Sequence, residues 1–167
     1  MRAGVSKVSL YRRWKNKAAV VGDVFRMMGK QPAASETRNL ATFLRELFQH
    51  SMSSPDAHRH GRVVMRTLGE IAGNAQLLNL YRKHVLEPRM NQLRQVIDVA
   101  RRRGELTSRA PTDAICALVA GPVFLIYLTQ LVRIDVDLDQ HPDPAGQLAT
   151  LILDCLRPRA VNVSKTR

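Results

Sequence analysis

Acidic residues are scarce in this chain. Asp and Glu number 14 against 26 Lys and Arg, a formal net charge of +12 over 167 residues. Cysteine is scarcer. Cys116 and Cys155 alone can supply neither a disulfide framework nor a four-ligand zinc site, and both stand in apolar contexts that read as small buried hydrophobes. The N-terminal charges are not followed by the apolar run of roughly 7–15 residues that a secretory signal needs. There is no glycine-rich phosphate loop and no nucleophile elbow. No stretch beyond a few residues alternates with period two, and no internal repeat or low-complexity tract is present. The pair His58 and His60 beside Asp56 is poorly spaced for one helix face and lacks a third ligand. We therefore expect no catalytic residue, no metal site and no cofactor, hence no enzyme. At 45% hydrophobic residues the chain is too apolar to be a disordered polycation. A folded, basic, cytoplasmic protein is what remains.

The positive charge is concentrated. Residues 1–30 hold eight Lys or Arg and one acid, Asp23, whereas residues 31–160 hold sixteen bases and thirteen acids. That distribution is the footprint of a small nucleic-acid-binding head on a nearly neutral body.

The hydrophobic periodicity predicts an all-α chain of seven helices. Ser6 caps a short helix over 7–14, with Leu10 and Trp14 on its inner face. Asn16 caps a second over about 17–29, with Val20, Val21, Val24, Phe25 and Met28 as its apolar side. After a break at 29–34, Ser35 opens a third, in which Leu40, Phe43, Leu44, Leu47 and Phe48 form a core stripe. A helix over 57–72 turns Val63, Val64, Leu68 and Ile71 inward. Asn74 caps a long helix over 75–103. Pro88 must kink or break it, and Gly104 ends it after three arginines. Asp143-Pro144 starts the last helix and Pro158 stops it. Residues 159–167 read as a disordered basic tail.

The stretch from Ala114 to Val132 carries no charge and is long enough for a membrane span. Gly121-Pro122 interrupts it, Thr129 and Gln130 lie near its end, and no second segment matches it. A helix over about 112–133, buried on nearly every side in a core or subunit interface, accounts for the same pattern. No membrane partner is expected.

The basic end carries chemistry of its own. With Leu10 and Trp14 inward, Lys7, Val8, Tyr11 and Arg12 turn outward. Such a helix suits a major groove, where methyl groups meet thymine and Lys or Arg reaches guanine O6 and N7. Arg13, Lys15 and Lys17 suit phosphates.

The run AGVSKVSLYRRWKNKAAVV resembles the end of the DNA-binding domain of the tetracycline-repressor (TetR) family, whose members carry an A-G-V-S-x-x-x-L-Y-x-x-F/W-x-x-K pattern. The resemblance implies a helix-turn-helix with its turn at Ala3–Ser6 and its recognition helix at 7–13. Lys7, Val8, Ser9, Arg12 and Arg13 would face the groove, with Tyr11 and Lys17 on phosphates. The segment from Asn74 to Leu106, with Pro88-Arg89 and the ending Arg103-Gly104-Glu105-Leu106, is similar to the ligand-binding domain of that family, as is the apolar helix with Gly121-Pro122. The likeness divides the chain into a partial head at 1–31, a helical effector-binding and dimerisation domain at 35–158, and the tail at 159–167. Implied partners are double-stranded DNA with a pseudo-palindromic operator, a small-molecule effector, and a second copy paired through helices 112–133 and 144–157. Met65, Leu68, Tyr81, His84, Phe124 and Tyr127 are the nominated ligand contacts. Family members carry a first helix and a second ahead of the AGVS turn, and here only Met1 and Arg2 precede it. The expectation is a misplaced start, a truncated gene or a fragment, with weak or no specific operator binding. The function expected is that of a repressor released by its effector. The alternative is a helical homodimer that binds a ligand while its head no longer reads DNA.

Overall fold

The computed structural model describes residues 14–29, 39–133 and 142–157. Every regular element among them is helical. They are α1 (Lys17–Met28), α2 (Leu40–Ser53), α3 (Pro55–Ala72), α4 (Ala75–Tyr81), a π-helical turn (Arg82–Leu86), α5 (Glu87–Arg102), α6 (Thr112–Val132) and α7 (Pro144–Cys155). The all-α class holds. The helix expected at 7–14, the turn before it and the tail at 159–167 lie outside the described residues.

Local chemistry sets most of the boundaries. The Asn16 carboxamide accepts the Ala19 amide at 2.9 Å and Asn74 accepts that of Leu77 at 3.1 Å, so both start their helices as expected. Asp143 accepts from Gly146 at 3.0 Å with Pro144 in the first turn. Gly104 takes φ +73°, Glu105 N–H donates to the Ala100 carbonyl, and Gly104 N–H to that of Arg101. These two bonds make a Schellman ending, open to glycine without strain.

One boundary and one face differ from expectation. α2 starts at Leu40 rather than Ser35, because Asn39 is extended and its side chain accepts the Thr42 amide at 2.8 Å. The Glu105 carboxylate, far along the chain, accepts the Leu40 amide at 2.7 Å. On α3, Val64 and Ile71 are buried but Val63 and Leu68 are exposed. The break near Pro88 takes the form of the π-helical turn. Pro88 has no N–H for the His84 carbonyl, and the widened turn absorbs that loss without ending the rod. The helix expected over about 112–133 is α6, Thr112–Val132, with Pro122 inside it. The ring forfeits one helix bond, while its fixed φ is compatible with the helix.

Two compact units form. The first joins the described residues of Met1–Ala33 to Val63–Gln92. Its core is Phe25, Met28, Val64, Ile71 and Val85, with Val21, Met65, Leu80 and Tyr81 packed against it. The second joins the described residues of Ala34–Arg62 and Leu93–Arg167. There α2 packs on α7 and on α6, and Leu44, Phe48, Ile97, Ile115, Val119 and Ile152 are buried. Full burial of each such side chain contributes about 1.5–3 kcal/mol.

Candidate functional site

At the start of α1, Trp14 is half-buried and its indole N–H donates to Asp23 Oδ2 at 2.5 Å. Asp23 also pairs with Arg26 at 2.5 Å. The chain entering α1 is thereby tied to Asp23, nearly two turns into the helix. Of the DNA-contact candidates, Lys7, Val8, Ser9, Tyr11, Arg12 and Arg13 lie outside the described residues, and Lys17 is the first residue of α1.

The nominated ligand contacts divide between the units. Met65, Leu68, Tyr81 and His84 belong to the first, Phe124 and Tyr127 to the second. Met65 and Tyr81 share one apolar cluster. Tyr81 meets Phe25 edge to face, ring centres 5.5 Å apart. Leu68 is exposed, His84 half-buried. Phe124 lies open on α6, while Tyr127 is buried over Gly61, where a Cβ would stand 2.6 Å from the ring.

Arg89 is absent from the ligand contacts nominated on sequence, although Tyr81, Val85 and Arg89 follow at four-residue steps and share a face. That spacing is the available signal. The guanidinium donates from Nη2 to the Met28 carbonyl at 3.3 Å. Its Nε is buried and, among the described residues, is the one buried side-chain polar atom without a partner. Burial raises the Tyr81 hydroxyl above its ordinary pKa, and the Arg89 charge opposes the rise.

The second unit offers a surface of another kind. Ile115, Cys116, Val119, Ile126 and Tyr127 on α6 are buried, but Leu118, Gly121, Leu125, Leu128 and Val132 form an exposed stripe at helical spacing. Only 28% of the most apolar window of α6 is buried within the chain, so of the two expected settings, a core or a subunit interface, the core of the single chain does not bury it on nearly every side. By length and composition alone α6 is also sufficient to cross a membrane. On α7, Leu151 and Cys155 are exposed, and Cys155 is thus not the buried hydrophobe expected. Cys116 is buried, and desolvation raises its thiol pKa. A shallow hollow between α2 and α7, rimmed by the Arg45–Asp143 pair at 3.0 Å, takes in none of the nominated ligand contacts. Among the described residues no three His, Cys, Asp or Glu side chains converge as metal ligands.

Residues 34–141 match the family description "Tetracyclin repressor-like, C-terminal domain". The chain belongs to the TetR family. The matched TetR residues run from before α2 through the whole of α6 and leave α1 and α7 outside. An uncharacterized HTH-type transcriptional regulator of Bacillus subtilis (strain 168), YdeS, is 27% identical over 128 residues, covering 74% of this chain and 62% of YdeS. Another, Rv1556 of Mycobacterium tuberculosis (strain ATCC 25618 / H37Rv), is 26% identical over 129 residues, covering 75% of this chain and 60% of Rv1556. The matched part of the chain thus spans about three-fifths of the length of these regulators. The crystal structure of the TetR family transcription regulator SCO0332 superposes with a TM-score of 0.63 at 24% identity, covering 93% of this chain and 83% of SCO0332. The fold is that of a TetR regulator.

Proposed function

We propose that this polypeptide works as a helical homodimer that binds a small effector, the sensing and dimerising body of a TetR-type regulator. The single observation that carries the reading is the open apolar stripe of α6, Leu118 to Val132, within the stretch that matches the family's C-terminal domain. An exposed stripe of that length on a soluble chain is costly unless a second surface covers it. A second copy, pairing α6 and α7 with their equivalents, covers it symmetrically. The proposed effector contacts are Met65, Leu68, Tyr81 and His84 in the first unit and, separately, Phe124 and Tyr127 in the second, and the body is assigned to residues 35–158. A cytoplasmic setting accords with two free cysteines. Native mass spectrometry of the purified chain tests the reading. We expect a dimer that carries or takes up small molecules, and a monomer that takes up none would refute it.

A second reading is favoured by the Asn16 cap and the Trp14–Asp23 bond, which order the chain next to the basic head. In this reading residues 1–31 bind a pseudo-palindromic operator, and effector binding shifts the dimer to a state with weaker DNA affinity, giving a repressor. Lys7, Val8, Ser9, Arg12 and Arg13 face the groove, and Tyr11 and Lys17 hold phosphates. Fluorescence anisotropy against DNA flanking the chain's own gene, over a salt series with scrambled competitor, decides between the readings. Salt-sensitive binding that scrambled DNA fails to displace supports operator reading. Equal competition by both duplexes leaves the chain a ligand-binding dimer.

A further inference from the structure

Several arginines among the described residues pair with a carboxylate in the ordinary way: Arg26 with Asp23 at 2.5 Å in the first unit, Arg45 with Asp143 at 3.0 Å and Arg94 with Asp113 at 2.7 Å in the second. Arg89 does not. It is half-buried, its Nε has no partner, and its Nη2 makes one long bond to the Met28 carbonyl. No carboxylate among the described residues pairs with it. A guanidinium carries five N–H donors in a fixed fork shaped for a carboxylate, and holding part of that fork away from water with nothing to receive it is unfavourable. The Tyr81 hydroxyl, on the same face two turns back, makes no hydrogen bond to the described residues. Its pKa direction fits a phenol partly withdrawn from water within reach of the Arg89 charge. A phenol O–H and a guanidinium on one helix face, beside apolar Phe25 and Met65, match an anion joined to an apolar body.

We propose that Arg89 and Tyr81 recognise the carboxylate of a small organic acid, which takes the guanidinium away from the Met28 carbonyl. This rests on the effector-binding reading above and names the chemical class of the effector. The Met28 carbonyl is at the C-terminal end of α1, where Gly29 packs against the His84 carbonyl. Binding therefore removes one of the ties holding the end of α1 to the π-helical turn and α5. Ligand charge and the position of α1 are thereby linked through a single side chain.

The test is calorimetric titration of the full chain with benzoate, 4-phenylbutyrate and octanoate, each beside its neutral primary amide at fixed ionic strength. The wild type, Arg89→Met, Arg89→Lys and the exposed control Arg102→Gln are compared. We expect at least one acid to bind about tenfold more tightly than its amide, as a charge-assisted fork should allow. Arg89→Met removes that preference while leaving amide binding in place, Arg89→Lys keeps part of it, and Arg102→Gln changes nothing. The melting temperature of Arg89→Met should hold or rise, because an unsatisfied donor is lost, whereas a merely structural arginine would lower it. Should Arg89→Met fail to fold, the acid–amide ratio in the wild type and Arg89→Lys still decides. Equal binding of acids and amides overturns the carboxylate assignment and leaves the ligand-binding body standing. Binding of none of the six overturns both.

Discussion

Gly29 lies so close to the His84 carbonyl that no side chain fits between them. The carbonyl is the one that Pro88, lacking an N–H, cannot bond within the helix. A residue without Cβ at the end of α1 thus meets the π-helical turn just before a proline. Replacing Gly29 with Ala forces backbone apart on one side or the other. We expect Gly29→Ala to lose about 1–3 kcal/mol in urea unfolding, typical of overpacking. Stability equal to wild type would mean that the approach of Gly29 to the His84 carbonyl leaves room for a methyl group.

Gly61 and Tyr127 form a second such pair in the other unit, with the ring against the glycine. Gly61→Ala should destabilise by a similar amount. Gly61→Ala with Tyr127→Ala should cost less than the sum of the two single changes, since the clash needs both partners. Strict additivity in a double-mutant cycle would contradict the contact.

Alkaline pH should act through Tyr81 and Cys116. Burial raises both above their ordinary values of 10.0 and 9.0. The unfolded chain therefore releases these protons first. Their contribution to stability is complete below pH 9 and declines as pH climbs past 9 and then past 10. Melting temperatures between pH 8 and 11 should fall, and Tyr81→Phe should soften the upper part of the decline. A profile unchanged by Tyr81→Phe would count against its burial.

The thiols should also separate. In a Cys155→Ser variant, Cys116 should resist an aromatic disulfide reagent at pH 8 until denaturant is added, because burial suppresses its thiolate. Rapid reaction in the native state would show that the α6 core side is open.

The legible parts of this fold are those decided within a few residues. Asn16, Asn74, Gly104 and Pro144 mark their boundaries through caps and turns that involve only neighbours. Ser35 misleads because the start of α2 is fixed in part by Glu105, 65 positions away. Pro88 announces a disturbance, but its π-helical form depends on packing no local rule describes. The apolar uniformity of α6 hides its two faces, since a helix with no polar side has no readable amphipathicity. Arg89 escapes sequence reasoning for a related reason. Its interest lies in what fails to pair with it, and absence of a partner is a property of the folded unit.

A second copy of this chain should cover the open stripe of α6. Sedimentation equilibrium of the full chain at micromolar concentration, beside Leu125→Arg, tests it most directly. We expect twice the chain mass for the wild type, and a helical monomer for Leu125→Arg, because a charge would then be buried without a partner at the centre of the interface. A monomeric wild type, or a dimer that Leu125→Arg leaves intact, would contradict it.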